Sequence, residues 1–190
     1  PLLEIQLKNL IDLFLDKIIN FETYHLNLFF DENWTCKSYI QSFGHDIEVS
    51  WLLHEAAIVL GDRETLGKVR NVVLRVADAA AKGFREDGAL MNEKNVVNNH
   101  LDTNSVWWPQ AEAIVGFFNA YQLSKKEFYL EKVFNLWSFI KENLIDKENG
   151  EWYWSVSKEG QKDKLNDKAG FWKCPYHNGR MCLELISRIK

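Results

Sequence analysis

No stretch of this chain is rich in proline, glycine or serine, and no tract is of low complexity. That leaves no internal linker and points to one domain over residues 1–190. Cysteine is scarce and odd in number: Cys36, Cys174 and Cys182. A dense disulfide framework is excluded, and a reducing, cytoplasmic compartment is the simplest setting. The Asn33-Trp34-Thr35 glycosylation pattern carries no meaning there. No apolar run approaches the roughly 20 residues that span a bilayer, so no membrane partner is expected. Basic residues do not dominate: 23 Lys and Arg face 27 Asp and Glu, for a net charge of -4. Without a basic stripe, nucleic acid is not an expected partner. No charged-then-apolar leader opens the chain, which starts with Pro1 rather than Met. We therefore expect a piece of a longer protein.

Two chemistries lack their parts. No glycine-rich phosphate loop is present. His54-Glu55 begins like a zinc-protease helix, but position 58 is Ile58 and the second ligand is missing. Cys174, His177 and His45 lack paired ligand spacing, so no metal is expected.

What is present is a hydrophobic chain, 46% of it apolar, with eight tryptophans. Most indoles belong in a core, yet flat indoles also stack on sugar faces. Apolar residues spaced three and four apart predict a helix over 2–20, and further helices over 45–60 and 63–82. Gly61 and Gly83 close those two. Pro109 opens a fourth helix that runs on through "QAEAIVGFFNAYQL", and Pro175 opens a sixth. Between them, Ser124-Lys-Lys-Glu127 reads as a capping box for a helix to about 143. "HLNLFF" (25–30) and "EWYWSV" (151–156) alternate like short strands, and "GALMNE" is extended. The pattern is helix, loop with short strand, helix, three times over. The second helix of each pair starts near His45, Trp108 and His177, at spacings of 63 and 69. A long period of helix hairpins predicts an all-α toroid or solenoid.

Those three starts carry unusual residues. "GHDIEVSWLLHEAA" brings His45, Asp46, Glu48 and Trp51. "WWPQAE" brings Trp107, Trp108 and Glu112, and "KAGFWKCPYHNGR" brings Trp172, Lys173, Cys174, Tyr176, His177, Asn178 and Arg180. Parallel inner helices would gather them around one pocket. A helix N-terminus favours neutral imidazole and stabilises developing negative charge. Two such histidines form an acid–base pair. Glu48, one turn from His45, suits orienting that ring or holding a substrate hydroxyl. Glu112, one turn from Trp108, pairs a carboxylate with an indole, a sugar-binding arrangement. The plainer reading of a histidine at a helix start is a cap or a surface residue. We take Asp46 as complementing the helix dipole, one of Trp107 and Trp108 as core, and Arg180 as pairing with an acid.

"GHDIEVSWLLHEAA", "WWPQAEAIVGF" and "KAGFWKCPYHNGRMCLE", in order along nearly the whole chain, resemble the N-acylglucosamine 2-epimerase family. His-Asp-Ile-Glu and Lys-Cys-Pro-Tyr-His-Asn resemble its cellobiose-epimerising branch. The resemblance implies an (α/α)6 barrel about twice this length, of which this chain is the C-terminal half. It implies inversion at C2 of a reducing-end sugar, glucose to mannose, through a cis-enediolate. His45 and His177 would be the acid–base pair, Glu48 and Glu112 would hold hydroxyls or tune them, and Trp51 and Trp108 would border the sugar. The implied partner is a mono- or disaccharide with a free reducing end, with no metal or organic cofactor. The missing half of the barrel, or a second copy of the fragment, would cover the open edges. Rival readings are N-acylglucosamine 2-epimerase, aldose–ketose isomerase of the same fold, or a non-catalytic glycan-binding half-barrel. A barrel glycoside hydrolase would need two carboxylates flanking a bond, and the paired histidines argue against it.

Overall fold

The computed structural model describes residues 2–189. Six helices alternate between an outer and an inner layer: α1 (Leu2–Leu13), α2 (Phe43–Leu60), α3 (Arg63–Ala81), α4 (Trp107–Ser124), α5 (Glu127–Phe139) and α6 (Tyr176–Arg188). The inner helices α2, α4 and α6 lie side by side with α4 in the middle, and α3 and α5 pack behind α2 and α4. The chain reverses tightly from inner to outer helix. After α2 only Gly61 and Asp62 intervene, and the Asp62 carboxylate caps α3 by accepting Thr65 N–H at 2.9 Å.

Helices α1 and α5 both end in a π-helical turn, Phe14–Ile18 and Ile140–Leu144. Each is closed by a backbone bond across five residues, from Ile19 N–H to Phe14 and from Ile145 N–H to Ile140. A single antiparallel bridge follows each, Ile19 with Leu26 and Ile145 with Trp152. The return to the inner layer then runs through short strands. β1 (Ile40–Ser42), β2 (Glu93–Asn95) and β3 (Leu101–Asp102) form one antiparallel sheet, with Ile40 opposite Asn95 and Glu93 opposite Asp102. β4 (Ser105–Val106) pairs with β5 (Ser155–Val156). β1 delivers the chain into α2 and β4 delivers it into α4, so both helices begin at the same end of the molecule.

Glycines set the closest approaches. Gly83 does not take the left-handed cap conformation that Gly61 takes after α2, and Lys82 is the C-cap of α3; glycine is needed at 83 for clearance, because a Cβ there would meet the Phe43 ring at 2.4 Å. On α4, a Cβ at Gly116 would lie 2.6 Å from Ile47, so glycine lets α4 settle onto α2. Ile47, Ile114, Phe117, Leu136 and Ile140 fill the main core around α4, and Ile11, Leu53, Val69 and Val73 fill a second one between α1, α2 and α3. Leu2, Leu3, Ile5 and Leu10 of α1 and Leu183 and Ile186 of α6 stay exposed at the two open edges.

Three local expectations are corrected. "HLNLFF" makes only isolated bridges, Ile19 with Leu26 and Phe30 with Cys36, because no second strand runs beside it. "EWYWSV" contributes only Ser155–Val156 to a strand. The capping box does not form: α4 runs on through Ser124, whose hydroxyl donates to Ala120 O, and Lys126 is the N-cap of α5. Lys125 makes the reversal in the left-handed region, with φ 58°.

Candidate active site

The starts of α2, α4 and α6 converge, as their spacing predicts. The Trp108 ring lies 4.8 Å from the His45 ring and 5.6 Å from the His177 ring, centroid to centroid. Both imidazoles thus flank one indole at the shared end of the inner helices. Trp107, its neighbour, is core and packs tilted against Trp154.

His177 is oriented from behind. Its Nδ1 lies 2.6 Å from Oε1 of Glu112. A carboxylate there selects the tautomer with hydrogen on Nδ1, which leaves Nε2 as the working nitrogen. Glu112 is only 1% exposed and is held by two further donors. Trp51 Nε1–H reaches Oε2 at 3.0 Å, and Arg180 reaches Oε1 at 2.6 Å. Arg180 also donates to Glu48 at 2.9 Å, to the Tyr176 hydroxyl, and lies 5.0 Å over the Trp51 ring. Burial alone would lower the Arg180 pKa, but its bonds to Glu112 and Glu48 outweigh that and raise it, so the guanidinium stays charged.

His45 is held differently. Ser42, the N-cap of α2, accepts the His45 backbone N–H and meets its Nδ1 at 2.8 Å. Glu48 makes no hydrogen bond to that ring and accepts from Arg180 instead. Nε2 of both histidines makes no hydrogen bond to protein among the described residues.

Two expected roles change. Trp51 is not exposed beside the two histidines; it is 2% exposed and serves as a donor to Glu112. Asp46 is not a solvated complement to the helix dipole. It is fully buried and accepts from His25 Nδ1 at 2.6 Å and Leu26 N–H at 2.8 Å. Burial raises its carboxyl pKa, and those bonds oppose the rise. This anchor pins the 20–30 loop to the first turn of α2, beside His45. Arg180, foreseen only as a partner for some acid, joins both glutamates. It stands three residues beyond His177 on one helical face, a spacing that the sequence displays. Glu48, Glu112 and His177 bring one ligand atom each within 4.8 Å of one another. The charge that balances the two carboxylates there is the Arg180 guanidinium.

A sequence profile described as N-acylglucosamine 2-epimerase (GlcNAc 2-epimerase) matches residues 4–179. The chain belongs to the N-acylglucosamine 2-epimerase family. Within that family it is 49% identical to the cellobiose 2-epimerase of Bacteroides fragilis over 184 residues, covering 97% of this chain and 47% of that one. The human N-acylglucosamine 2-epimerase is more distant, 27% identical over 162 residues, covering 81% of this chain and 37% of that one. The solved structure of cellobiose 2-epimerase from Bacillus thermoamylovorans superposes with a TM-score of 0.91 at 43% identity, covering 98% of this chain and 47% of that one. The chain spans about half the length of the relatives it matches, and its three hairpins are half of an (α/α)6 barrel. No helix among the described residues is long and apolar enough to cross a membrane.

Proposed function

We propose that this site carries the acid–base pair of a sugar 2-epimerase of the cellobiose type. The observation that carries the reading is the oriented His177–Glu112 pair facing His45 across Trp108. The substrate is a mono- or disaccharide with a free reducing end. With the ring open, Nε2 of one histidine removes the C2 proton and a cis-enediolate forms. The other histidine returns a proton on the opposite face, converting the glucose configuration to mannose. Glu112 stabilises the imidazolium that forms at His177. Glu48, part-exposed beside Arg180, is placed to hold a sugar hydroxyl. Trp108 offers the flat face, and Trp51 acts from behind through Glu112. No step calls for a metal or an organic cofactor.

The half-length match and the exposed leucines of α1 and α6 support a complementary half, or a second copy, as the covering partner. Three unpaired, exposed cysteines support a reducing, cytoplasmic setting.

The test is cellobiose in heavy water, with the chain alone and with a complementary half supplied. Deuterium at C2 of a mannose-type product is expected. A fructose-type product would instead mean an aldose–ketose isomerase, turnover of N-acylglucosamine alone would mean the other family branch, and saturable binding without exchange would mean a glycan-binding module.

A further inference from the structure

Helix α6 begins without a side-chain cap: its N-cap is Pro175. Something else must fix the turn that carries His177, since a 2.6 Å contact with Glu112 tolerates little movement. Next to it stands Lys173, which is fully buried. Its ammonium has three hydrogens and three acceptors: Glu151 Oε1 at 2.8 Å, Trp152 O at 2.9 Å and Lys168 O at 2.9 Å. It also lies 5.5 Å over the ring of Trp107, the first residue of α4. The Glu151 carboxylate in turn receives Asn178 Nδ2 on both oxygens, at 3.0 and 3.1 Å. Glu151 holds this position with φ 60°, a conformation a non-glycine residue rarely adopts. Lys173 and Asn178 thus bracket His177 in sequence and converge on one acid.

We propose that Lys173 and Glu151 are positioning residues: they lock the starts of α4 and α6 together and so set the His177–Glu112 contact. A buried ammonium with every hydrogen satisfied is rigid, and breaking a buried ion pair leaves an uncompensated charge. The network anchors the uncapped start of α6 and ties it to Trp107, five residues ahead of Glu112. Neither side chain hydrogen-bonds to His45, Glu112 or His177. The proposal rests on the acid–base reading of His177 for its purpose, though not for its geometry.

The experiment uses the 190-residue chain labelled with ¹⁵N-histidine. Lys173→Met keeps the side-chain length and removes the charge. Amide exchange over residues 176–181 should rise by about tenfold or more relative to α2, as expected for loss of a charge-assisted network. The ring ¹⁵N shifts of His177 should change from the fixed Nδ1–H tautomer to an averaged pattern, a signature that general destabilisation does not single out. Should Lys173→Met fail to fold, Glu151→Gln decides, with the same two readouts in the same direction. Folded variants with unchanged exchange and an unchanged ring pattern overturn the proposal. Adding cellobiose to the unaltered chain keeps the two ideas apart. A lack of response at His45 and His177 counts against the sugar reading and leaves the clamp intact.

Discussion

Trp51 donates its indole N–H to one oxygen of Glu112 while His177 meets the other. A buried tryptophan of α2 thereby governs a histidine of α6 through an acid of α4. Replacing Trp51 with Phe keeps the ring and removes the donor. A buried acceptor left unmade costs about 1–3 kcal/mol, so urea unfolding should shift by that much. In an active assembly kcat should fall with KM little changed, because the indole does not face the sugar.

His45→Ala and His177→Ala should each abolish deuterium entry at C2 while leaving the circular dichroism spectrum unchanged. Loss of a placed acid or base costs about 10²–10⁴-fold in rate. Exchange that survives in both variants would remove them from the mechanism.

Ser42 has two tasks, capping α2 and steadying His45. Ser42→Ala should cost about 0.5–2 kcal/mol as a lost cap. It should also loosen the His45 ring, visible as broadening of its NMR signals with those of His177 unaffected.

His54 supplies a pH dependence. Its Nδ1–H reaches Asn119 Oδ1 at 2.9 Å, and its Nε2 is buried without a partner. Desolvation holds its pKa below the ordinary 6.5, aided by Arg70 and Arg188 and opposed by the Asn119 bond and Glu55. The unfolded chain therefore binds a proton that the folded chain resists. The stability tied to neutral His54 is present above pH 6.5 and is lost as pH falls below it. Thermal melts between pH 7.5 and 5 should show this slope, and His54→Gln should flatten it. An unchanged slope in that variant would assign the effect to another group.

The apolar edges make a prediction for the isolated chain. Ile114, Phe118, Trp137, Met181, Leu185 and Ile186 line a groove of about 380 Å³, and Ile186 is itself exposed on α6. Apolar patches of a few hundred Å² tend to find partners. Light scattering should report a mass above that of a monomer, and Ile186→Glu should reduce it. A thermally stable monomer at high concentration would mean that the three hairpins close on themselves.

Much of this was legible in the sequence. Helical spacing and the prolines at helix starts give five of the six helices, α5 is placed by a capping box that does not form, and recurrence at 63 and 69 residues brings the starts near His45, Trp108 and His177 together. The failures have physical causes. α2 is apolar on nearly all sides, so spacing alone does not say that Trp51 faces inward. Asp46 reads as a surface acid because its partner His25 lies 21 residues upstream, on a segment whose alternation imitates a strand. Lys173 looks like any solvated lysine until the loop folds Glu151 and two carbonyls around it.

The π-turns that end α1 and α5 bear on how such a chain can diversify. Each is followed seven residues later by the partner of its bridge, and the two devices stand 126 residues apart, twice the 63 between His45 and Trp108. The layers therefore keep a fixed metre. What varies is the return path: 24 residues separate Ile19 from Phe43, and 31 separate Ile145 from Tyr176. The longer path includes the stretch that presents Leu165, Phe171 and Trp172 to solvent. Insertions or deletions among those exposed residues would lengthen or shorten the return path and leave the helix layers in step.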